Sequence, residues 1–291
     1  MKILVLGVTG MLGSTVLRTL YDNGNFDVWG TLRDKAGLRH FPLKIHTQLI
    51  HNLDVLDDNA LIQVFERTNP NVVINCVGLI KQLKSANDPM VILPINSILP
   101  HRLSKLCLQY NSRLIHISTD CVFSGRKGLY CETDISDAED LYGKSKFIGE
   151  ITQCAQAITL RTSIIGHELN TNYALVNWFI SQKKSVKGYK NAIFSGLPTV
   201  ELARVIMNFV IPRPDLSGLF HVASNPVNKY DLLKLIAEIY GKKTRLILDD
   251  GFCIDRSLDA KKFENATGYL APNWHQLVQL MYESYNLFKE T

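Results

Sequence analysis

The sequence has no Cys-x-x-Cys pair and no cysteine–histidine spacing that suits a metal, although it carries six cysteines, at 76, 107, 121, 131, 154 and 253. No metal site is therefore expected, and the thiols read as small apolar filler. No apolar run reaches the length that crosses a bilayer, so no membrane partner is expected. No basic run resembles a nucleic-acid-binding tail, so no nucleic-acid partner is expected either. Repeats, low-complexity tracts and long linkers are missing. A strand begins almost at the first residue, with no signal-peptide pattern before it, and the expected location is the reducing cytoplasm.

What remains is an ordinary globular composition. Of 291 residues, 46% are hydrophobic and 20% charged, and 32 Lys+Arg against 27 Asp+Glu leave a net charge of +5. The chain is long enough for one large domain or two small ones. The mild positive surplus suits an anionic small ligand.

Short apolar runs alternate with amphipathic stretches. KILVLG (2–7), FDVWGTLR (26–33), NVVINCVG (71–78), RLIHIST (113–119) and AITLRTS (157–163) read as strands, and LIHNLDVLDD (49–58) as a strand followed by a cap. Helical patterns lie between them over 11–24, 59–69, about 95–110 and about 142–156. This β-α rhythm predicts an α/β fold, a Rossmann-type doubly wound parallel sheet with a smaller α/β C-terminal substrate lobe. The expected division is 1–165 for a dinucleotide-binding domain and 166–291 for the lobe, with segments at about 190–212 returning to the first domain.

GVTGMLG, Gly7 to Gly13, follows the first strand and opens a helix. In that context Gly-x-x-Gly-x-x-Gly lets backbone amides approach a pyrophosphate; the alternative is a tight βα turn with no ligand. About 20 residues on, where an NAD site places an acid, stands Arg33. An arginine there suits a 2′-phosphate, so NADPH is expected, with NADH left open by the neighbouring Asp34. At later strand ends Asp54 suits an adenine amino group or a helix cap, Gly78 a ribose or a bland turn, and Thr119 a substrate oxygen or a cap. Tyr142 and Lys146 stand four residues apart on one helical face. They are either a tuned proton donor or a surface tyrosine lying along a lysine stem.

Taken in order, Gly-x-x-Gly-x-x-Gly, Asn-x-x-Gly, Ser-Thr-Asp and Tyr-x-x-x-Lys resemble the extended short-chain dehydrogenase/reductase superfamily. The blocks STDCVFSG, LYGKSKFIGE, ITLRTSIIG, SGLPTVELARVI and GLFHVASNPVNKYDLLKLIAEIYG resemble its dTDP-4-dehydrorhamnose reductase branch, over nearly the whole chain. The resemblance implies an NADP-dependent oxidoreductase that reduces a 4-keto-6-deoxy nucleotide sugar for surface polysaccharide precursors. It implies that Tyr142 protonates the carbonyl oxygen, that Thr119 hydrogen-bonds the same oxygen, and that Lys146 holds the nicotinamide ribose and depresses the tyrosine pKa. Gly7, Thr9, Gly10, Met11, Leu12 and Gly13 would line the pyrophosphate. Asp54 and Val55 would meet adenine, Cys76, Val77 and Gly78 would pass the ribose, and Asn96 and Ser118 would border the cofactor. Asp120, Cys121, Val122, Ile164 and Arg256 would face the sugar, and Arg161, Arg204 and Arg256 are candidates for its diphosphate. The branch usually has aromatics where Cys121 and Ile164 stand, and its loop differs from residues 78–88 here, which points to a different sugar. A homodimer is compatible with the resemblance. The competing readings are a nucleotide-sugar epimerase or dehydratase of the same superfamily, and a non-catalytic NADP-binding regulatory subunit.

Overall fold

The structure, a computed structural model, describes residues 1–290. The first half supplies strands β1 (Lys2–Leu6), β2 (Asp27–Thr31), β3 (Leu49–Ile50), β4 (Val72–Asn75), β5 (Arg113–Thr119) and β6 (Ala157–Thr162). The second half supplies β7 (Ile164–Ile165), β8 (Val186–Tyr189), β9 (Ala192–Phe194), β10 (Leu197–Pro198), β11 (Gly218–His221), β12 (Val227–Asn228), β13 (Leu246–Asp249) and β14 (Ile254–Asp255). Seven of them form one parallel sheet in the order β11-β6-β5-β4-β1-β2-β3.

These strands are apolar because both faces of the sheet are covered. Alternate residues of β1 serve different cores: Ile3 and Val5 pack on one face, Leu4 and Leu6 on the other. On the first face lies α1 (Met11–Asn23), whose Leu12, Val16, Leu17 and Leu20 form a buried stripe. Burying each contributes about 1.5–3 kcal/mol. On the second face lie α2 (Asp58–Thr68) and a long helical run built from α3 (Pro89–Leu93), a π-helical turn (Pro94–Ile98) and α4 (Leu99–Gln109). Asp57 caps α2, accepting from the amides of Asn59 and Ala60. Pro100 lies inside this continuous run, just past the π-helical turn, and offers no N–H to the turn before it.

The remaining helices are α5 (Leu141–Ile148), α6 (Leu175–Ser181), α7 (Thr199–Val205), α8 (Lys229–Ile239), α9 (Lys261–Thr267) and α10 (Trp274–Glu290). A third core joins Val176 and Phe179 of α6, Leu232 and Ile236 of α8, and Val278 and Met281 of α10. Leu277 of α10 instead joins the first core, so this helix spans the two. α7 lies against α1, with the hydroxyls of Thr15 and Thr199 3.2 Å apart.

Two segments depart from the sequence reading. The helix expected to run to about 156 stops at Ile148, because Gly149 passes against the Asn96 carbonyl and the amide of Ile151 is taken by the Thr159 hydroxyl. Residues 35–48, without assignment from periodicity, form two 3₁₀ turns, Lys35–His40 and Leu43–Gln48. Among the described residues no helix is long and apolar enough to cross a membrane.

Candidate active site

The strand order reverses between β1 and β4, which opens a crevice at their carboxyl ends. Gly7, with φ of 80°, turns the chain there, and a Cβ on it would lie 2.9 Å from Cγ2 of Val77. Gly13 is demanded more strictly: its Cβ would come 2.3 Å from the Gly7 carbonyl oxygen. Gly10 stands at the N-terminus of α1 with no side-chain cap, so the first-turn amides of this helix face the crevice without a side-chain acceptor. The loop thus has the shape and partial charge of a pyrophosphate cradle, with Thr9, Met11 and Leu12 along it.

Beyond the cradle, Thr9, Arg33, Asp34, Gly37, Arg39 and Asn170 line a shallow recess. Arg33 is exposed and makes no hydrogen bond with a described residue. The Asp34 carboxylate is engaged locally, accepting from the Ala36 amide at 2.8 Å. That leaves an arginine facing the recess and occupies the nearby acid, the arrangement that suits a phosphate. Arg39, which donates to Asn170 at 3.1 Å, adds a second cation that sequence reasoning missed. Asp54 is exposed and accepts from the Leu56 amide at 2.9 Å; Val55 is half-buried beside it. The Asn75 side chain holds the Val77 amide at 3.1 Å and so shapes the Cys76–Gly78 turn. Burial raises the Cys76 thiol to about 12. Asn96, in the π-helical turn, accepts from the Leu79 amide at 2.9 Å and donates to the Ser145 hydroxyl at 3.2 Å, tying this turn to α5.

α5 carries Tyr142 and Lys146. Asp140 caps it, accepting from the Gly143 amide at 2.8 Å, and pairs with Lys81 at 2.6 Å. Gly143 lets the helix sit directly on the turn after β5, since a Cβ there would be 2.2 Å from the Cys121 carbonyl oxygen. This seating brings Tyr142 to Thr119, whose side chain acts on the phenol. Thr119 also accepts from the Cys121 amide and donates to Asp120, both at 3.1 Å. Lys146, 6% exposed, donates to the Ile117 carbonyl at 2.7 Å. Burial lowers its ammonium to about 8, against an upward pull from Glu150. Burial raises the Tyr142 phenol above its ordinary value, reinforced by Cys121 and opposed by Thr119. Lys146 is not among the groups that act on this phenol, and its ammonium is turned onto a backbone carbonyl.

The structure distributes the remaining predicted residues. The Ser118 hydroxyl points inward to Glu150 at 2.7 Å. Val122 is fully buried with Phe123, Tyr130 and Leu258, so its side chain packs a core. Cys121 and Ile164 are half-buried, and burial raises the Cys121 thiol to about 12. Asp120 is raised by burial, with Arg256 pulling the other way. Arg256 donates to the Phe123 carbonyl at 2.7 Å and reaches the Cys121 sulfur at 4.0 Å. Arg161 is not available to a diphosphate: it is 2% exposed and locked to Glu150. Arg204 is exposed on α7. Lys229, which no sequence pattern marked, is half-buried at the start of α8 and feels the charges of Asp120, Cys121 and Arg256. It makes no hydrogen bond or ion pair with a described residue. Two cations thus approach the Asp120–Cys121 turn against one carboxylate. Among the described residues no cluster of His, Cys, Asp or Glu suits a metal ion.

Comparison with known proteins places this geometry. The family model described as RmlD substrate binding domain matches residues 1–287. The dTDP-4-dehydrorhamnose reductase of Aggregatibacter actinomycetemcomitans is 25% identical over 240 residues, covering 79% of this chain and 76% of that protein. Methionine adenosyltransferase 2 subunit beta of Danio rerio is 28% identical over 252 residues, covering 82% of this chain and 74% of the relative. Among solved structures, dTDP-4-dehydrorhamnose reductase of Bacillus anthracis in complex with NADP superposes with a TM-score of 0.78 at 19% identity, covering 97% of this chain and 99% of that one.

Proposed function

Because this chain belongs to the RmlD substrate binding domain family, we propose that it is an NADPH-dependent reductase of a 4-keto-6-deoxy nucleotide sugar, working in the cytoplasm on surface polysaccharide precursors. The observation that carries this reading is the placing of Tyr142, Thr119 and Lys146 at the carboxyl end of β5, beside a glycine turn shaped to take a pyrophosphate. Reductases named for dTDP-4-dehydrorhamnose among the relatives support the substrate class.

The cradle fits the dinucleotide: α1 offers uncapped amides, and Arg33 and Arg39 flank a recess suited to a 2′-phosphate. NADPH bound there supplies the hydride that reduces the sugar carbonyl. Tyr142, kept protonated by burial, donates its proton to the carbonyl oxygen as negative charge develops on it. Thr119 hydrogen-bonds the same oxygen and fixes its position. Lys146, whose ammonium donates to the Ile117 carbonyl, stands one turn along the helix to hold the nicotinamide ribose hydroxyls. Lys229 and Arg256 attract the anionic substrate to the mouth of the crevice. Cys121 and Ile164 leave room beside the sugar where the branch usually places aromatic rings.

The test is oxidation of NADPH in the presence of 4-keto-6-deoxy sugars carried on UDP, dTDP and GDP. One class should give stoichiometric NADP⁺ and a reduced sugar. An epimerase or dehydratase would convert its substrate without releasing NADP⁺. NADPH binding with no turnover across the panel would favour a regulatory role, the reading opened by the resemblance to a protein named as a subunit.

A further inference from the structure

Behind Lys146 lies a closed set of buried charges that the proposed reaction does not use directly. Glu150 lies four residues after Lys146, in the turn that closes α5. Its Oε1 accepts from the Ser118 hydroxyl and from Nε of Arg161, and its Oε2 from Nη2 of Arg161, all at 2.7 Å. The Arg161 and Glu150 side chains are 3% and 2% exposed. Nη1 of Arg161 reaches Nε2 of His221 at 3.3 Å, and its guanidinium lies over the Phe123 ring. Nδ1 of His221 meets the Tyr130 carbonyl at 3.0 Å, and the His221 amide donates to Glu132 at 2.8 Å. A carbonyl only accepts, so Nδ1 carries the proton and Nε2 is free to accept from Arg161. The set therefore runs from the helix of the reactive pair to the loop that begins at Cys121.

A buried ion pair of this kind adds little net stability, since desolvation offsets its attraction. Its position is more telling. Lys146 is faced by Glu150, by Cys76 at the end of β4 and by His116 on β5, with Tyr142 on its own helix. Burial holds the Cys76 thiol near 12 and keeps His116 well below its usual range, so both are uncharged near neutral pH. Glu150 is then the anion that acts on Lys146.

We infer that Glu150 is a positioning residue: its carboxylate, bonded to Ser118 next to the Ile117 carbonyl that holds Lys146, is the counter-charge behind that ammonium and, through Arg161 and His221, pins residues 121–132 beside Tyr142. The inference rests on the reading of Tyr142 and Lys146 as the proton-donating pair, but its first test does not need turnover. The titration of Lys146 is followed by NMR in protein labelled at the lysine ε-carbon, with the resonance assigned by Lys146→Met. Glu150→Gln keeps the size and loses the charge; Glu150→Asp keeps the charge and loses the size. The expected result is a midpoint lowered by about 1 pH unit or more in Glu150→Gln, with Glu150→Asp closer to wild type. The alkaline limb of kcat/KM should move down by the same amount, making Glu150→Gln about ten-fold slower above both midpoints. Should an uncompensated Arg161 prevent folding, Glu150→Gln combined with Arg161→Met is compared with Arg161→Met alone, and the double variant should have the lower midpoint. An unmoved Lys146 midpoint, or an equal shift in Glu150→Asp and Glu150→Gln, would overturn the inference. Lack of NADPH turnover in the wild type would count against the proposed function, while the NMR titration still decides this point.

Discussion

Gly143→Ala probes how the reactive pair is placed. The added methyl would sit 2.2 Å from the Cys121 carbonyl oxygen and 2.7 Å from Cβ of Ala138. Both neighbours are fixed: Cys121 lies in the turn after β5, and the Ala138 amide bonds the Val122 carbonyl at 3.1 Å. Relief to an ordinary contact requires α5 to retreat by roughly 1 Å, because no flexible side chain can move aside. Overpacking of this kind costs about 1–3 kcal/mol, a fall in Tm of several degrees. The larger effect is on chemistry. A displacement of about 1 Å between reacting groups costs on the order of 10²-fold, and here it separates Tyr142 from Thr119. Steady-state kinetics beside NADPH titration should show kcat/KM down about 10²-fold with cofactor affinity changed much less, since Gly143 is remote from the Gly7–Gly13 cradle. Wild-type turnover in Gly143→Ala would refute the seating of α5 on the Cys121 turn.

Other outcomes follow from the same geometry. Arg33→Ala should raise the KM for NADPH by about 10–100-fold, the loss of one charge-assisted contact, and leave that for NADH nearly unchanged; equal effects on both would remove Arg33 from the 2′-phosphate site. His221, fully buried, is held at about 4 by burial and by Arg161, below its ordinary 6.5. Its folded pKa is depressed, so its contribution is complete above about 6.5 and is lost as pH falls toward about 4. That is on the order of 3 kcal/mol, visible as a falling Tm across this window that His221→Gln should flatten; an unchanged slope would show that other groups set it.

Much of the fold is legible in the sequence for a physical reason. A parallel strand covered on both faces must be apolar throughout, so KILVL and VVIN declare themselves. RLIHIST matches β5 residue for residue. The short strands β8, β9, β12 and β14, of two to four residues, carry too little pattern to be read, and they build the part of the lobe that positions Lys229 and Arg256. The end of α5 was marked in the sequence by Gly149, followed by the β-branched Ile151 and Thr152, and contacts at Gly149 and Ile151 fix the stop there. In the site, Tyr142, Lys146, Thr119 and the glycines are local motifs with fixed spacing. Glu150 was visible four residues after Lys146, but its partners Arg161 and His221 come from other strands, and no spacing announces them. The upward push of burial on Tyr142 is hidden for a related reason: burial is a property of the whole fold, and the motif shows only the neighbour.

The most direct measurement is turnover and NADPH binding of Tyr142→Phe, made side by side. Loss of the phenolic proton should lower kcat by about 10²–10⁴-fold, while the cofactor dissociation constant stays close to wild type. Unimpaired turnover would contradict the role of Tyr142 as the proton donor and, with it, the account of this crevice as a ketoreductase site.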